Sequence, residues 1–302
     1  MCPLRAVPES PITSRPNLST APPSLSPLLP PEELPDWSPI NPEREDCTVP
    51  ILLGTPTLGT IRMEWHDAMI SLIAPPMWSL VRSTPKGFST HDAQNMLVDT
   101  VLRHPFKFLI LIEDDTIPHP GFLLAIDKHC WRAERKLGPP VVSGLYHIKG
   151  SAETRRGKTG GLELLGPEPL VYRGAGQRAF RDWTMGDLVW VDGVPTGALM
   201  LHRSILEVWA AEPDVETYSV PGYPFPMKKV FQRPAQVWTD PDGGIHTASG
   251  TSDLYFSHQT LERGLLQKAG YGKWARKRYP YLIDTSPEMC FKHIDRATGF
   301  CF

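Results

Sequence analysis

The sequence has little of what would assign it quickly. Cysteine is scarce, five in 302 residues (Cys2, Cys47, Cys130, Cys290, Cys301), and no two form a CxxC pair, which argues against a zinc ribbon. An odd count without close pairs fits a reducing, cytoplasmic compartment. No apolar run approaches the roughly 18 residues of a membrane span, and Met1–Ser10 lacks the apolar core of a secretory signal. Neither sign of charge dominates, with 31 Lys+Arg against 33 Asp+Glu, which excludes a histone-like or strongly polyanionic protein. No internal repeat is visible.

Proline, by contrast, is abundant and uneven. Twelve of the 33 prolines fall in residues 1–46, a stretch of Pro, Ser and Leu without helical or strand period. Proline has no N–H to give either lattice, so residues 1–46 read as an extended, poorly ordered arm ahead of a body at 47–302. That arm carries three Arg against seven Asp+Glu, which leaves the body slightly basic.

From Cys47 onward short apolar runs alternate with helical stretches. Val49–Leu53 reads as a first strand closed by Gly54-Thr-Pro-Thr57. Ile61, Trp65, Met69 and Leu72 recur at helical spacing, and Trp78–Arg82 reads as a second strand. Ser89 and Asp92 form a capping signal for a helix that Pro105 ends. Phe106–Ile112 is continuously apolar, as a central strand covered on both faces would be. A helix over Gly121–Lys136 and strands at Val141–Tyr146, Leu188–Val191 and Gly197–His202 follow. Gly150–Gly186 lacks periodicity and reads as an excursion. Ala235–Trp238 and Ile245–Ala248 flank a hairpin turn, and a helix from Ser252 stops at Gly264. The pattern predicts one α/β domain with a mainly parallel, mixed central sheet.

Glu113-Asp114-Asp115 directly follows the central strand. Adjacent carboxylates repel one another, and in open α/β sheets ligands bind beyond the carboxyl ends of strands. Oxygen ligands there suit Mg²⁺ or Mn²⁺ shared with substrate phosphates. The alternative is an acidic start to the next helix, but Thr116-Ile-Pro-His-Pro120 separates the two.

Phe108-Leu-Ile-Leu-Ile-Glu-Asp-Asp-Thr-Ile-Pro118 resembles the strand and DxD segment of family-2-like nucleotide-sugar glycosyltransferases with the GT-A fold. Val49–Thr57, Ala93-Gln94-Asn95, Val141–Tyr146, Val191–Arg203, Gly250–Phe256 with Glu262-Arg-Gly264, and Cys290–His293 match further segments of that family in order. The resemblance spans roughly residues 47–295 and implies a GT-A fold and a metal-dependent transferase using a UDP- or GDP-sugar. It implies Thr55, Pro56, Thr57, Gln94, Asn95, Glu113, Asp114 and Gly197 as nucleotide-sugar contacts. It implies Asp115, His293 and Glu113 around Mn²⁺ or Mg²⁺, and Asp253 as the catalytic base. Three positions depart from the family pattern: Glu113 replaces Asp, Gln94 replaces an arginine, and Ser252 replaces a Glu. Arg82 is a candidate to supply the charge that Gln94 lacks.

Two basic segments, 149–181 and 263–278, bear on the acceptor. The second holds six cations, no acid, and Tyr271 and Trp274, with Tyr279 just beyond. Such a pattern fits a solvated face, a grip on an anionic substrate, or DNA bound through phosphates and stacked bases. The leading acceptor is therefore a glycan, metabolite or protein hydroxyl, and the alternative is a hydroxymethylated base of DNA, in a virus-encoded enzyme. Outside that class stand a sugar-1-phosphate nucleotidyltransferase and an inactive GT-A-like binding protein.

Overall fold

The computed structural model describes residues 48–148, 155–156, 162–163, 168–173, 180–239 and 245–294. The Pro-rich segment 1–46 and most of the excursion after Ile148 lie outside these residues. In chain order the elements begin with β1 (Val49–Gly54), α1 (Met63–Ile70), β2 (Trp78–Ser83), α2 (Thr90–Arg103), β3 (Phe108–Ile112) and β4 (Thr116–Ile117). Next come α3 (Phe122–Glu134), β5 (Val141–Ile148), the short pair β6 (Arg155–Arg156) and β7 (Leu162–Glu163), and β8 (Glu168–Pro169). They are followed by β9 (Leu188–Val191), β10 (Ala198–His202), α4 (Arg203–Ala211), β11 (Thr217–Tyr218), β12 (Met227–Lys228) and the paired strands β13 (Ala235–Thr239) and β14 (Ile245–Ser249). The last are α5 (Ser252–Glu262), α6 (Leu265–Lys268), α7 (Gly272–Ala275), β15 (Tyr281–Asp284) and β16 (Cys290–His293).

The main sheet runs β2-β1-β3-β10-β5-β15-β9 and is mixed. β1 pairs parallel with β2 and β3, and β5 with β15, while β10 lies antiparallel between β3 and β5. All five residues of β3 are buried, as its unbroken apolar run predicts for a strand covered on both sides. One side, with Leu109 and Leu111, joins a core that includes Leu97, Val98 and Val101 of α2 and Ile205, Leu206 and Trp209 of α4. The other side is closed by α3: Ile110 is in register with Met200, whose sulfur meets Cys130 at 3.4 Å.

Local chemistry fixes the element ends. Ser89 caps α2 by accepting from the Asp92 N–H, as its spacing predicts. Gly264, at φ +63°, turns the chain between α5 and α6, a conformation that glycine adopts without a Cβ penalty. Within α1, Trp65 and Met69 face inward, but Ile61 and Leu72 fall outside the helix. Arg82 donates to the Met69 carbonyl at the end of α1, so its charge serves that helix end. No helix among the described residues is long and apolar enough to cross a membrane.

A buried polar pair joins α3 to β15. His129 Nε2 and Asp284 Oδ2 lie 2.8 Å apart, Lys128 Nζ reaches the same oxygen at 2.9 Å, and the Ser286 N–H donates to Oδ1. Burial lowers the His129 pKa against the pull of Asp284. Burial alone would raise the Asp284 pKa, but the hydrogen bond from His129 and the charge of Lys128 hold it below the usual carboxylate range. As pH falls below about 6.5 the unfolded chain takes up a proton on this histidine before the folded one does. The His129 contribution is therefore full above that pH and declines below it. Asp284 adds its own loss only at more acidic pH. Thermal melting should show the wild type losing stability between pH 7.5 and 5, and a His129→Gln protein showing a shallower loss across the same interval.

Candidate functional site

The three carboxylates after β3 part company immediately. Glu113 keeps its backbone in the sheet, its N–H donating to the Gly197 carbonyl at 3.2 Å. Its Oε1 accepts from the Thr196 hydroxyl at 2.8 Å and from Gln94 Nε2 at 3.3 Å. Asp114 is buried and accepts from the Thr57 hydroxyl at 2.5 Å, while Thr57 Oγ1 accepts the Gly59 N–H at 3.0 Å. Asp115 turns toward β16, where its Oδ2 lies 3.7 Å from His293 Nε2.

The loop after β1, with Thr55, Pro56 and Thr57, is zipped to the loop after β2. Thr55 N–H donates to Ser83, Thr57 N–H to Pro85, and Gly87 N–H back to Thr57. Asp114 thus ties this loop to the tip of β3. His293 reaches Asp115 because β16 pairs with β4 in the register His293↔Thr116, and the Ile294 N–H donates to the Asp115 carbonyl at 2.7 Å.

A cavity of about 290 Å³ opens beside this cluster. Glu113, Tyr146 and Thr196 line one part of it. Ser89–His91 at the start of α2, Thr251–Asp253 at the start of α5, and Arg233 line the rest. Hydroxyls and two carboxylates dominate this lining, and among the described residues the exposed Arg233 is its one Arg or Lys. Glu113 is partly accessible through the cavity yet packed about by protein; burial first and the charge of Asp115 next push its pKa to about 8. Burial also raises the Asp253 pKa, against hydrogen bonds from Thr251 and the Leu254 N–H. Tyr146 is held well above the ordinary phenol value, by burial and then by the charges of Glu113, Asp253 and Asp115.

Not every expected contact faces this cavity. Asn95 is buried with its amide fully engaged: it accepts from the Val230 and Phe231 N–H groups and donates to the Phe231 carbonyl and the Tyr218 hydroxyl. It clamps the segment after β12 to α2. Gln94 is buried against Glu113, with Oε1 unpartnered among the described residues. Gly197 is explained by packing: a Cβ there would stand 2.6 Å from Tyr146 Cε1 and 2.9 Å from Thr116 Oγ1. Sequence reasoning passed over Tyr146, Thr196 and Arg233. Thr196, a polar residue beside the glycine that opens a buried strand, carried a readable signal. Arg233 carried none.

Among the described residues no group of three or more His, Cys, Asp or Glu side chains could hold a metal ion. The Asp115–His293 pair is the one place where two of the expected ligands stand at a spacing that could share a cation. At 3.7 Å it is too wide for a hydrogen bond. Two donors each about 2.1 Å from one ion stand about 3–4 Å apart. An oxygen and an imidazole nitrogen would leave further positions to substrate phosphates and water. Glu113 is turned aside, to Thr196 and Gln94.

The basic segment 263–278 contributes fewer open groups than its composition suggests. Tyr271 and Trp274 are buried, Arg263 is paired with Asp214, and Lys268 with Glu212. Tyr279 is covered by Arg173 and Arg278. Segment 149–181 lies mostly outside the described residues.

No protein-family model matches the chain, and no curated protein matches it in sequence. Among solved structures it is similar to A197 from STIV, with a TM-score of 0.43 and 15% identity over 82% of this chain and 86% of that chain.

The Asp114–Thr57 bond gives a direct test of the site's scaffold. Thr57→Val removes the donor and leaves a buried carboxylate short of a partner, which should cost about 1.5–3 kcal/mol in urea unfolding. Thr57→Ser should restore most of it.

Proposed function

We propose that the protein is a GT-A-type glycosyltransferase that moves a sugar from a UDP- or GDP-sugar to an acceptor hydroxyl. One observation carries this reading. An Asp115–His293 pair fit for a divalent cation adjoins a hydroxyl-rich cavity containing Glu113 and Asp253, both with raised pKa. The cluster lies beyond the carboxyl end of a central strand, where α/β sheets take their ligands.

In this reading the loop Thr55–Thr57, fixed by Asp114, receives the nucleotide, and Arg233 supplies positive charge near the diphosphate that Gln94 cannot. Mn²⁺ or Mg²⁺ on Asp115 and His293 would neutralise charge on the departing nucleoside diphosphate. Asp253, raised in basicity by burial, takes the proton of the acceptor hydroxyl as its oxygen bonds to the anomeric carbon. The bond from that carbon to the diphosphate oxygen breaks, and the electron pair leaves with the diphosphate. Thr196 and Gln94 hold Glu113 at the cavity wall, where its carboxyl group can bond donor or sugar hydroxyls. The burial of Tyr271 and Trp274 removes two of the three stacking platforms a DNA acceptor would use, which favours a glycan, metabolite or protein hydroxyl.

Purified protein incubated with a panel of UDP- and GDP-sugars should release nucleoside diphosphate only when Mn²⁺ or Mg²⁺ is added. Asp115→Ala should nearly abolish that release, and Asp253→Asn should lower kcat by about 10²–10⁴. Pyrophosphate-dependent formation of nucleoside triphosphate would point instead to a nucleotidyltransferase, and silence across donors from a folded protein to a binding protein. Arg233→Ala should raise the donor KM about tenfold with kcat little changed, the loss expected for one charge-assisted hydrogen bond.

A further inference from the structure

We propose that Tyr146 is the positioning residue that holds the His293 imidazole for cation binding, and that position 197 must be glycine because Tyr146 fills the space of its side chain. The proposal rests on the reading of Asp115 and His293 as a cation pair. Pairing of β16 with β4 fixes the backbone of His293 but leaves its two side-chain torsions free. Metal-binding imidazoles are ordinarily oriented by a hydrogen bond to their second nitrogen. His293 lacks one: Nδ1 is buried without a hydrogen-bond partner among the described residues. What meets the ring is Tyr146, stacked on it with centroids 5.6 Å apart and planes 16° from parallel.

Tyr146 is itself immobilised. It is 5% exposed, its backbone pairs with Phe291 across β5 and β16, and its carbonyl accepts the Leu170 N–H at 3.0 Å. Behind it stands Gly197, where a Cβ would approach Tyr146 Cε1 to 2.6 Å and Cζ to 2.8 Å. A larger residue at 197 would force the phenol out of the position in which it stacks on His293. Tyr146 also lines the cavity, so one ring touches both the cavity and the imidazole.

The test is Mn²⁺ titration of the full chain, following the electron paramagnetic resonance signal of free Mn²⁺, with melting curves to establish folding. Tyr146→Phe keeps the ring and should bind within about twofold of wild type. Tyr146→Leu should bind about 10–100-fold more weakly, the usual cost of losing a residue that orients a ligand. Gly197→Ala should weaken binding too. In the double variant the alanine should cost nothing further, because its space has been vacated. A folded Tyr146→Leu protein that binds like wild type overturns the proposal. So does additive loss in the double variant. If Tyr146→Leu does not fold, Gly197→Ala decides, and wild-type affinity there overturns it. A folded wild type that takes up no Mn²⁺ overturns the cation reading itself, a result distinct from equal binding by wild type and variant.

Discussion

Three adjacent carboxylates at the tip of a fully buried strand cannot remain together, and the site is built on how the fold separates them. The chain turns directly after β3, with the Thr116 N–H donating to the Glu113 carbonyl at 3.0 Å, so Glu113, Asp114 and Asp115 leave the strand in different directions and each meets a different element. Glu113 meets α2 and the turn before β10, Asp114 the loop after β1, and Asp115 the strand β16. Repulsion is thereby converted into three tethers. The tip of β3 acts as the hub to which the loop after β1, the cavity and the late histidine are each fastened.

The separation also sorts the acids electrostatically. Asp114 is satisfied by a hydroxyl donor and serves structure. Glu113 and Asp253 share a cavity whose polar groups are mainly hydroxyls, and burial makes both reluctant to ionise. An environment that raises the proton affinity of carboxylates is suited to moving protons near neutral pH. The same cavity is lined by the Arg233 guanidinium, so acids and a cation share one small volume.

Most of the fold was legible in the sequence because its signals are local. The apolar run of β3, the Ser89 cap and the helix from Ser252 each depend on neighbours within a few residues, and each stands where the pattern placed it. The paired strands Ala235–Thr239 and Ile245–Ser249 also formed as read, with the turn itself outside the described residues. The site was legible only in part. The clustering of Glu113, Asp115, Asp253 and His293 followed from motif order, but the work of Asn95 did not. Its four hydrogen bonds run to Tyr218, Val230 and Phe231, more than 120 residues away in sequence. Tyr146 was equally hidden, since an aromatic in a buried strand looks like core until the glycine and the imidazole packed against it are known. Tyr271 and Trp274 misled in the other direction: beside many cations they read as a stacking surface, yet both serve the core.

The pairing of β4 with β16 bears on the order in which the site comes into being. β4 directly follows the carboxylates, whereas β16 closes the described chain, so the histidine is synthesised long after the acids it joins. Until β16 is in place, Asp115 lacks its imidazole partner, and β4 lacks its hydrogen-bonded neighbour. A nascent chain would carry exposed acids without the geometry to retain a cation. The proposed cation pair would therefore be complete only once β16 has joined β4.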